Sequence, residues 1–84
     1  MSYRVEFALG AAVVFHTLPP EGQDALIARA VELVEQPWAD VVTRRPGNDP
    51  AFRETTFGDG HGICAFQVDE DAEVVRIFEI VWVA

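Results

Sequence analysis

The side chains of this chain that could do chemistry are few, and most of them are cationic. Arg53 follows the pair Arg44 and Arg45 within ten residues, and His61 stands between two glycines. Guanidinium groups bind phosphates and carboxylates, and a histidine can gain and lose a proton near neutral pH. Arg53 and His61 are therefore the catalytic candidates for acid–base work on an anionic group, and Arg44 and Arg45 are candidate binding residues.

Each of these residues also has a simpler interpretation. The chain has fourteen acidic residues and six basic ones, all of them arginine, so the arginines can pair with surface carboxylates. Exposed ion pairs of that kind contribute little stability. His61, in a glycine-rich turn, is most simply a solvated residue, because a single side chain is a weak functional signal. Both interpretations stay open from the sequence.

Other kinds of site find little support. Cys64 lies within an apolar run, where a buried and inert thiol is the default, and a nucleophile would need His16 or His61 as its base. One cysteine and two histidines match no zinc-ligand spacing. The acidic turn at 69–73 lacks the ligand spacing of a calcium loop, and no glycine-rich phosphate loop opens a helix. We expect no metal and no cofactor.

The formal net charge of −8 restricts the partners. A polyanion such as RNA or DNA would be repelled at long range, so nucleic acid is disfavoured unless a local arginine patch binds it. The single cysteine excludes an internal disulfide and favours a reducing cytoplasm. The apolar run Phe7–Phe15 follows Glu6 and has no small-residue cleavage site after it, so we interpret it as structure rather than a targeting segment. No run is long enough to span a membrane.

Hydrophobic periodicity predicts the elements that would position these residues. Helix spacing recurs over two segments, and the second, which ends at Pro37, has an apolar stripe expected to cover a sheet. Apolar alternation or β-branched runs mark the strands. The predicted order is strand Tyr3–Phe7, helix Leu9–Leu18, helix Gln23–Gln36 (stripe Leu26, Ile27, Ala30, Val31, Leu33 and Val34), a brief extended piece Asp40–Thr43, and strands Ala51–Phe57, Gly62–Val68 and Glu73–Val83.

Residues 1–84 thus form a single α+β domain with the order β-α-α-β-β-β, an antiparallel sheet with an N-terminal helical hairpin packed on one face. The last strand is apolar on both faces, which predicts a central position in the sheet. Phe78 and Trp82 share a parity in that strand, whereas Arg76 and Glu79 are expected on opposite faces. If Phe78 and Trp82 face away from the helices, they form an apolar binding surface for a homodimer or a partner segment.

This order of elements resembles the RelE/ParE superfamily, the small toxins of bacterial toxin–antitoxin pairs. The resemblance covers nearly the whole chain, and four segments carry it: Tyr3–Phe7, Leu18–Glu21, Leu33–Trp38 and Gly60–Asp69. It implies a β-α-α-β-β-β fold and, as partner, a cognate antitoxin that wraps the toxin.

The resemblance also bears on the chemistry. Ribonuclease members of the family cleave messenger RNA in the ribosome with basic residues on the second strand, an arginine opening the third, and a basic or aromatic group near the C-terminus. Here Arg53 is followed by Glu54, and the arginine position of the third strand falls on Gly62 with His61 before it. Only Arg53 and His61 carry over, which implies little cationic stabilisation of a phosphoryl transition state.

Three functions follow as hypotheses. The first is a RelE/ParE-like toxin protein that acts mainly through protein–protein binding, with its ribonuclease chemistry lost or altered. The second is a ribosome-dependent endoribonuclease that uses Arg53 and His61, with Arg44 or Arg45. The third is a non-toxic homodimeric binding module that kept the fold. The strongly acidic composition favours the first hypothesis over the second, because it disfavours RNA binding. We therefore expect a protein that is not an enzyme.

Overall fold

The computed structural model describes residues 3–39 and 42–83. Its elements, in chain order, are β1 (Arg4–Phe7), α1 (Leu9–Thr17), α2 (Pro20–Glu35), β2 (Phe52–Phe57), β3 (Gly62–Asp69) and β4 (Val74–Trp82). Every predicted helix and strand is present to within three residues at each end. Asp40 and Val41, the first half of the predicted extended piece, lie outside the described residues. None of the described helices is long and apolar enough to cross a membrane.

The strands form one sheet in the order β1-β4-β3-β2, so β4 has a neighbour on each side, as its apolar composition predicts. The pairs β2–β3 and β3–β4 are antiparallel, whereas β1 lies parallel to β4, with Glu6 opposite Arg76. The α+β architecture is confirmed. The sheet is mixed rather than wholly antiparallel, because β1 reaches the open edge of the three-strand meander only after a long crossover.

The core lies between the helices and one face of the sheet. Leu26 and Leu33 of α2 are fully buried. They are seven residues apart and so lie on the same side of the helix, where they pack against alternate residues of the strands. The side chains that share this layer are Ala11, Leu18, Leu26, Leu33, Phe57, Cys64, Phe66, Val68, Val75, Ile77 and Ile80. We call this side of the sheet the helix face and the other side the open face.

The predicted stripe of α2 is only partly buried. Ile27 and Val31 remain 52% and 58% exposed, although they belong to the same apolar stripe as Leu26 and Leu33. The sheet does not cover them, because β1 is its edge strand on this side and is only four residues long. The expectation that the whole stripe covers the sheet is therefore wrong for these two positions.

A β-bulge in β4 changes which residues share a face. Ala65 of β3 pairs with Glu79, but the next residue, Phe66, pairs with Ile77, so Phe78 is the extra residue. Odd-numbered residues of β4 face the helices before the bulge, and even-numbered ones do so after it. The bulge therefore overturns two expectations from strand parity. Phe78 and Trp82 lie on different faces, and Arg76 and Glu79 both belong to the open face.

Candidate functional site

Arg53, the first catalytic candidate, lies on the helix side of β2 and is 5% exposed. Its Nε donates a hydrogen bond of 2.7 Å to Thr43 Oγ1. Its guanidinium carbon lies 5.7 Å from the centre of the Trp38 ring, a distance at which a cation is attracted to an aromatic face. The charge of Arg53 is thus engaged inside the protein rather than presented to a substrate.

The segment after α2 builds this enclosure. Thr43 is anchored by its backbone N–H and its hydroxyl, which both donate to Ala39 O at 3.0 and 2.9 Å. The hydroxyl of Thr55 donates to Val42 O, which fixes the same segment against β2. Thr43 and Trp38 were not among the predicted site residues. A contact across a ten-residue loop leaves no periodic signal in the sequence.

Arg44 and Arg45 do not join Arg53 in an anion-binding patch. Arg44 extends the edge of β2 by exchanging two backbone hydrogen bonds with Glu54, at 2.8 and 2.9 Å. Its Nε also donates to Glu54 Oε1 at 2.7 Å, so this carboxylate neutralises it. Arg45 is exposed and makes no hydrogen bond or ion pair with any residue in the described ranges.

His61 is exposed in the turn between β2 and β3. The three residues before it have positive φ angles of 63°, 56° and 86°, a conformation that Gly58 and Gly60 adopt without strain. Its Nδ1 lies 3.2 Å from Val83 O, and its ring centre lies 5.9 Å from that of Trp82. Arg53 is four residues from the end of β2, about 13 Å at the usual rise of a strand. The two catalytic candidates therefore do not converge on one reacting atom.

Trp82, a predicted binding residue, packs on the helix face. Its ring stacks on Phe57 with centres 5.7 Å apart and reaches toward Gly22 of α2 and Gly58. The indole Nε1 is buried and has no hydrogen-bond partner within the described part of the chain. This position corrects the expectation that Trp82 forms an exposed surface with Phe78.

Phe78, the other predicted binding residue, does lie on the open face. Its ring centre is 5.1 Å from that of Phe52, and 38% of the residue is exposed. Ile63 and Val81 pair with each other across β3 and β4 and are also exposed. The open face therefore carries exposed apolar side chains on β3 and β4.

The cations near the open face are paired with carboxylates. Arg4 Nη2 lies 3.2 Å from Glu6 Oε2, and Arg76 Nη2 lies 3.3 Å from Glu6 Oε1. Arg44 is bound to Glu54 at the opposite edge. Glu79 adds an exposed carboxylate between these pairs. Among the described residues, no group of three or more histidine, cysteine or acidic side chains has the geometry to hold a metal ion.

Arg53→Ala should destabilise the fold rather than remove a surface charge. The substitution leaves Thr43 Oγ1 and the Trp38 ring without their cationic neighbour, and a buried group that loses its partner costs about 1–3 kcal/mol. Urea unfolding of the variant measures this change. Arg45→Ala, in the same region but exposed, is the control and should change stability by less than about 0.5 kcal/mol. An Arg53→Ala protein as stable as the control would contradict the structural role.

Cys64 should be inert in the native state. Burial raises the pKa of its thiol from 9.0 to about 12, because the charged thiolate would lose its hydration. At pH 8 the native protein should react with a thiol-specific disulfide reagent about a thousandfold more slowly than the unfolded chain, from thiolate fraction alone. The same shift makes the native state lose stability as the pH rises from about 9 toward 12, where the unfolded thiol ionises first. Rapid modification of the native protein would contradict this burial.

Comparison with known proteins bears on the fold. No protein-family model matches the sequence, and neither does any curated protein. Among solved structures, the isolated RelE toxin of E. coli is 18% identical with a TM-score of 0.84, over 99% of this chain and 86% of that one. A chain of the toxin–antitoxin complex RelBE2 of Mycobacterium tuberculosis is 20% identical with a TM-score of 0.80, over 98% and 99% of the two chains. The archaeal RelE–RelB complex of Pyrococcus horikoshii OT3 gives 15% identity and a TM-score of 0.71, over 98% and 96%. The fold implied by the resemblance is confirmed: the chain has the fold of these RelE structures.

Proposed function

We propose that this chain is a RelE-like toxin protein that acts in the cytoplasm mainly through protein–protein binding and lacks ribonuclease activity. The single observation that carries the proposal is the chemistry of the open face. Cleavage of RNA needs cations aimed at the phosphate where negative charge develops. On this face Arg4 and Arg76 are held by Glu6 and Arg44 by Glu54, and the exposed side chains of Ile63, Phe78, Val81 and Glu79 add apolar and acidic surface.

Arg53 and His61, the two residues that the resemblance carries over, do not replace the missing cations. Arg53 is enclosed by Trp38 and Thr43, and His61 lies at the far end of the β2–β3 hairpin. General acid–base catalysis requires both groups within hydrogen-bond reach of one substrate. Their separation supports a protein without this chemistry, as does the acidic net charge of −8, which repels RNA.

A protein partner fits the remaining features. Exposed apolar side chains occur on α2 and on the open face, at Ile27, Val31, Ile63, Phe78 and Val81. Several solved structures with this fold are toxin–antitoxin complexes, from Mycobacterium tuberculosis, E. coli and Pyrococcus horikoshii OT3. We infer that the partner of this chain is an antitoxin-like protein that covers such a surface. A homodimer through the open face is the alternative partner.

The proposal is tested by tight, inducible expression in a bacterial host that carries no partner gene. We expect growth arrest while cellular messenger RNA stays intact, as primer extension on abundant transcripts would show. The control is the same strain carrying the expression vector without the gene, which should grow normally under the same induction.

The other outcomes separate the alternatives. Growth arrest with new cleavage sites in translated messages would favour the endoribonuclease. Normal growth with abundant folded protein would favour the non-toxic binding module, and a dimeric native mass would then support the homodimer. Arrest that persists in Arg53→Ala with His61→Ala would exclude those two side chains as the source of toxicity.

A further inference from the structure

A groove with an almost wholly apolar lining runs between β1 and the two helices. Its floor is formed by Val5 and Phe7 of β1 and Phe15 of α1, and its other wall belongs to α2. The residues of that wall include Ile27, Val31 and Val34. The rings of Phe7 and Phe15 pack together with centres 5.4 Å apart, so the β1 and α1 sides of the groove are in contact.

The rim of this groove is exposed to solvent, although its α2 residues belong to the apolar stripe of that helix. Ile27 and Val31 are more than half exposed, and Phe7 on the facing strand is 36% exposed. The two α2 residues are one turn apart, so they form a ridge of the kind that packs against a second helix. Removing this surface from water would be favourable.

Both ends of the ridge carry a negatively charged side chain. Asp24 precedes Ile27 by three residues and Glu35 follows Val31 by four, so both carboxylates lie on the ridge side of α2. Both are exposed and make no ion pair with any residue of 3–39 or 42–83. The nearby cation of α2, Arg29, is bound to Glu32 at 3.1 Å and to Thr56 O at 2.8 Å.

We propose that this groove binds a cationic amphipathic helix of the partner protein, with apolar residues against Ile27 and Val31 and lysine or arginine near Asp24 and Glu35. This inference rests on the proposed binding function and specifies its surface and the charge of the partner. The net charge of −8 adds long-range attraction for a basic segment and repels an acidic one. It also disfavours an anionic membrane as the occupant.

The edge of β1 argues for a helix rather than an added strand. Arg4 N and Ala8 N donate to β4, so alternation turns the N–H groups of Val5 and Phe7 to the outer edge. The Tyr3 N–H on that edge already donates to Val34 O at 2.9 Å. Val5 and Phe7 keep outward N–H groups on this edge, but β1 is only four residues long, whereas the ridge of α2 presents side chains at helical spacing.

The test uses the purified protein and a fluorescent synthetic helix of about 18 residues, built from leucine and lysine with leucines at i, i+3, i+4 and i+7. Fluorescence anisotropy measures binding. We expect saturable binding that weakens when salt rises from about 0.05 M to about 0.3 M, because screening reduces the attraction. A leucine–glutamate helix of the same pattern should bind at least about tenfold more weakly.

Matched variants locate the site. Ile27→Ser with Val31→Ser should weaken binding of the leucine–lysine helix about tenfold or more, and Asp24→Asn with Glu35→Gln should reduce its salt dependence. Leu9→Ser with Val13→Ser, which removes two similarly exposed apolar residues one turn apart on α1 and outside the groove, should leave binding unchanged. Because the substituted side chains are exposed, circular dichroism should show native folds for all variants.

Several results would overturn the proposal: no saturable binding, equal binding of the glutamate helix, or loss of binding in the Leu9→Ser with Val13→Ser variant alone. Chemical-shift changes of the wild-type backbone provide a second readout and should centre on α2 and β1. The assay is independent of toxicity, so a failed groove proposal leaves the growth result standing. Conversely, a protein that causes no growth arrest can still bind the helix, so the two results are distinguishable.

Discussion

Trp82→Ala should lower the free energy of unfolding by about 3 kcal/mol, because it removes a large, partly buried side chain that packs against the core. The ring stacks on Phe57 and lies against Gly22 and Gly58, so it ties the end of β4 to α2 and to the β2–β3 turn. Urea unfolding followed by circular dichroism measures the loss.

Val81→Ala is the matched control, since the neighbouring residue of β4 points to the open face and is 45% exposed. It should cost less than about 1 kcal/mol. Measuring both stability and native mass for the two variants shows whether each side chain packs inside the protein or contacts a second copy. A Trp82→Ala protein of unchanged stability but altered native mass would return Trp82 to a binding surface and contradict its place in the core.

Gly62→Ala should be nearly as damaging, by about 2–3 kcal/mol, although it adds one methyl group. A Cβ at this position would lie within 2.6 Å of three atoms of the Phe57 ring. Phe57 is 2% exposed and cannot move aside without displacing Trp82, on which it stacks. Thermal or urea unfolding of the variant measures the stability that this clash costs.

Two comparisons make the clash specific. Gly10→Ala adds the same methyl group within α1, where nothing lies within 4 Å, and should raise stability by about 0.5–1 kcal/mol. Adding Phe57→Leu to Gly62→Ala should recover part of the loss, so the two substitutions should be non-additive. Additive effects, or a Gly62→Ala protein as stable as the wild type, would contradict the predicted contact.

The elements of the fold were predictable because their signals are local. Alternation in β1, the stripe of α2 ending at Pro37, and the apolar run of β4 each follow from periods of about two or 3.6 residues. The central position of β4 followed from its lack of a polar face. The parallel pairing of β1 with β4 depends on the path of the crossover, which no local period encodes.

The candidate site was predicted less well, for two physical reasons. The bulge at Phe78 inverts the alternation of β4, so parity was wrong in pairing Trp82 with Phe78 on one face and in separating Glu79 from Arg76. The enclosure of Arg53 depends on its contacts with Trp38 and Thr43, which are tertiary and leave no local pattern. Arginine is rarely buried without a partner, so the sequence alone favoured exposure for Arg53.

The central claim is that this RelE-like fold has no ribonuclease chemistry. The most direct test is primer extension on messenger RNA held in purified, programmed ribosomes, with and without the purified protein. The account predicts the same extension products in both reactions, with a known ribosome-dependent ribonuclease as the positive control. New cleavage within the ribosome-bound message, lost in the Arg53→Ala and His61→Ala double variant, would contradict it.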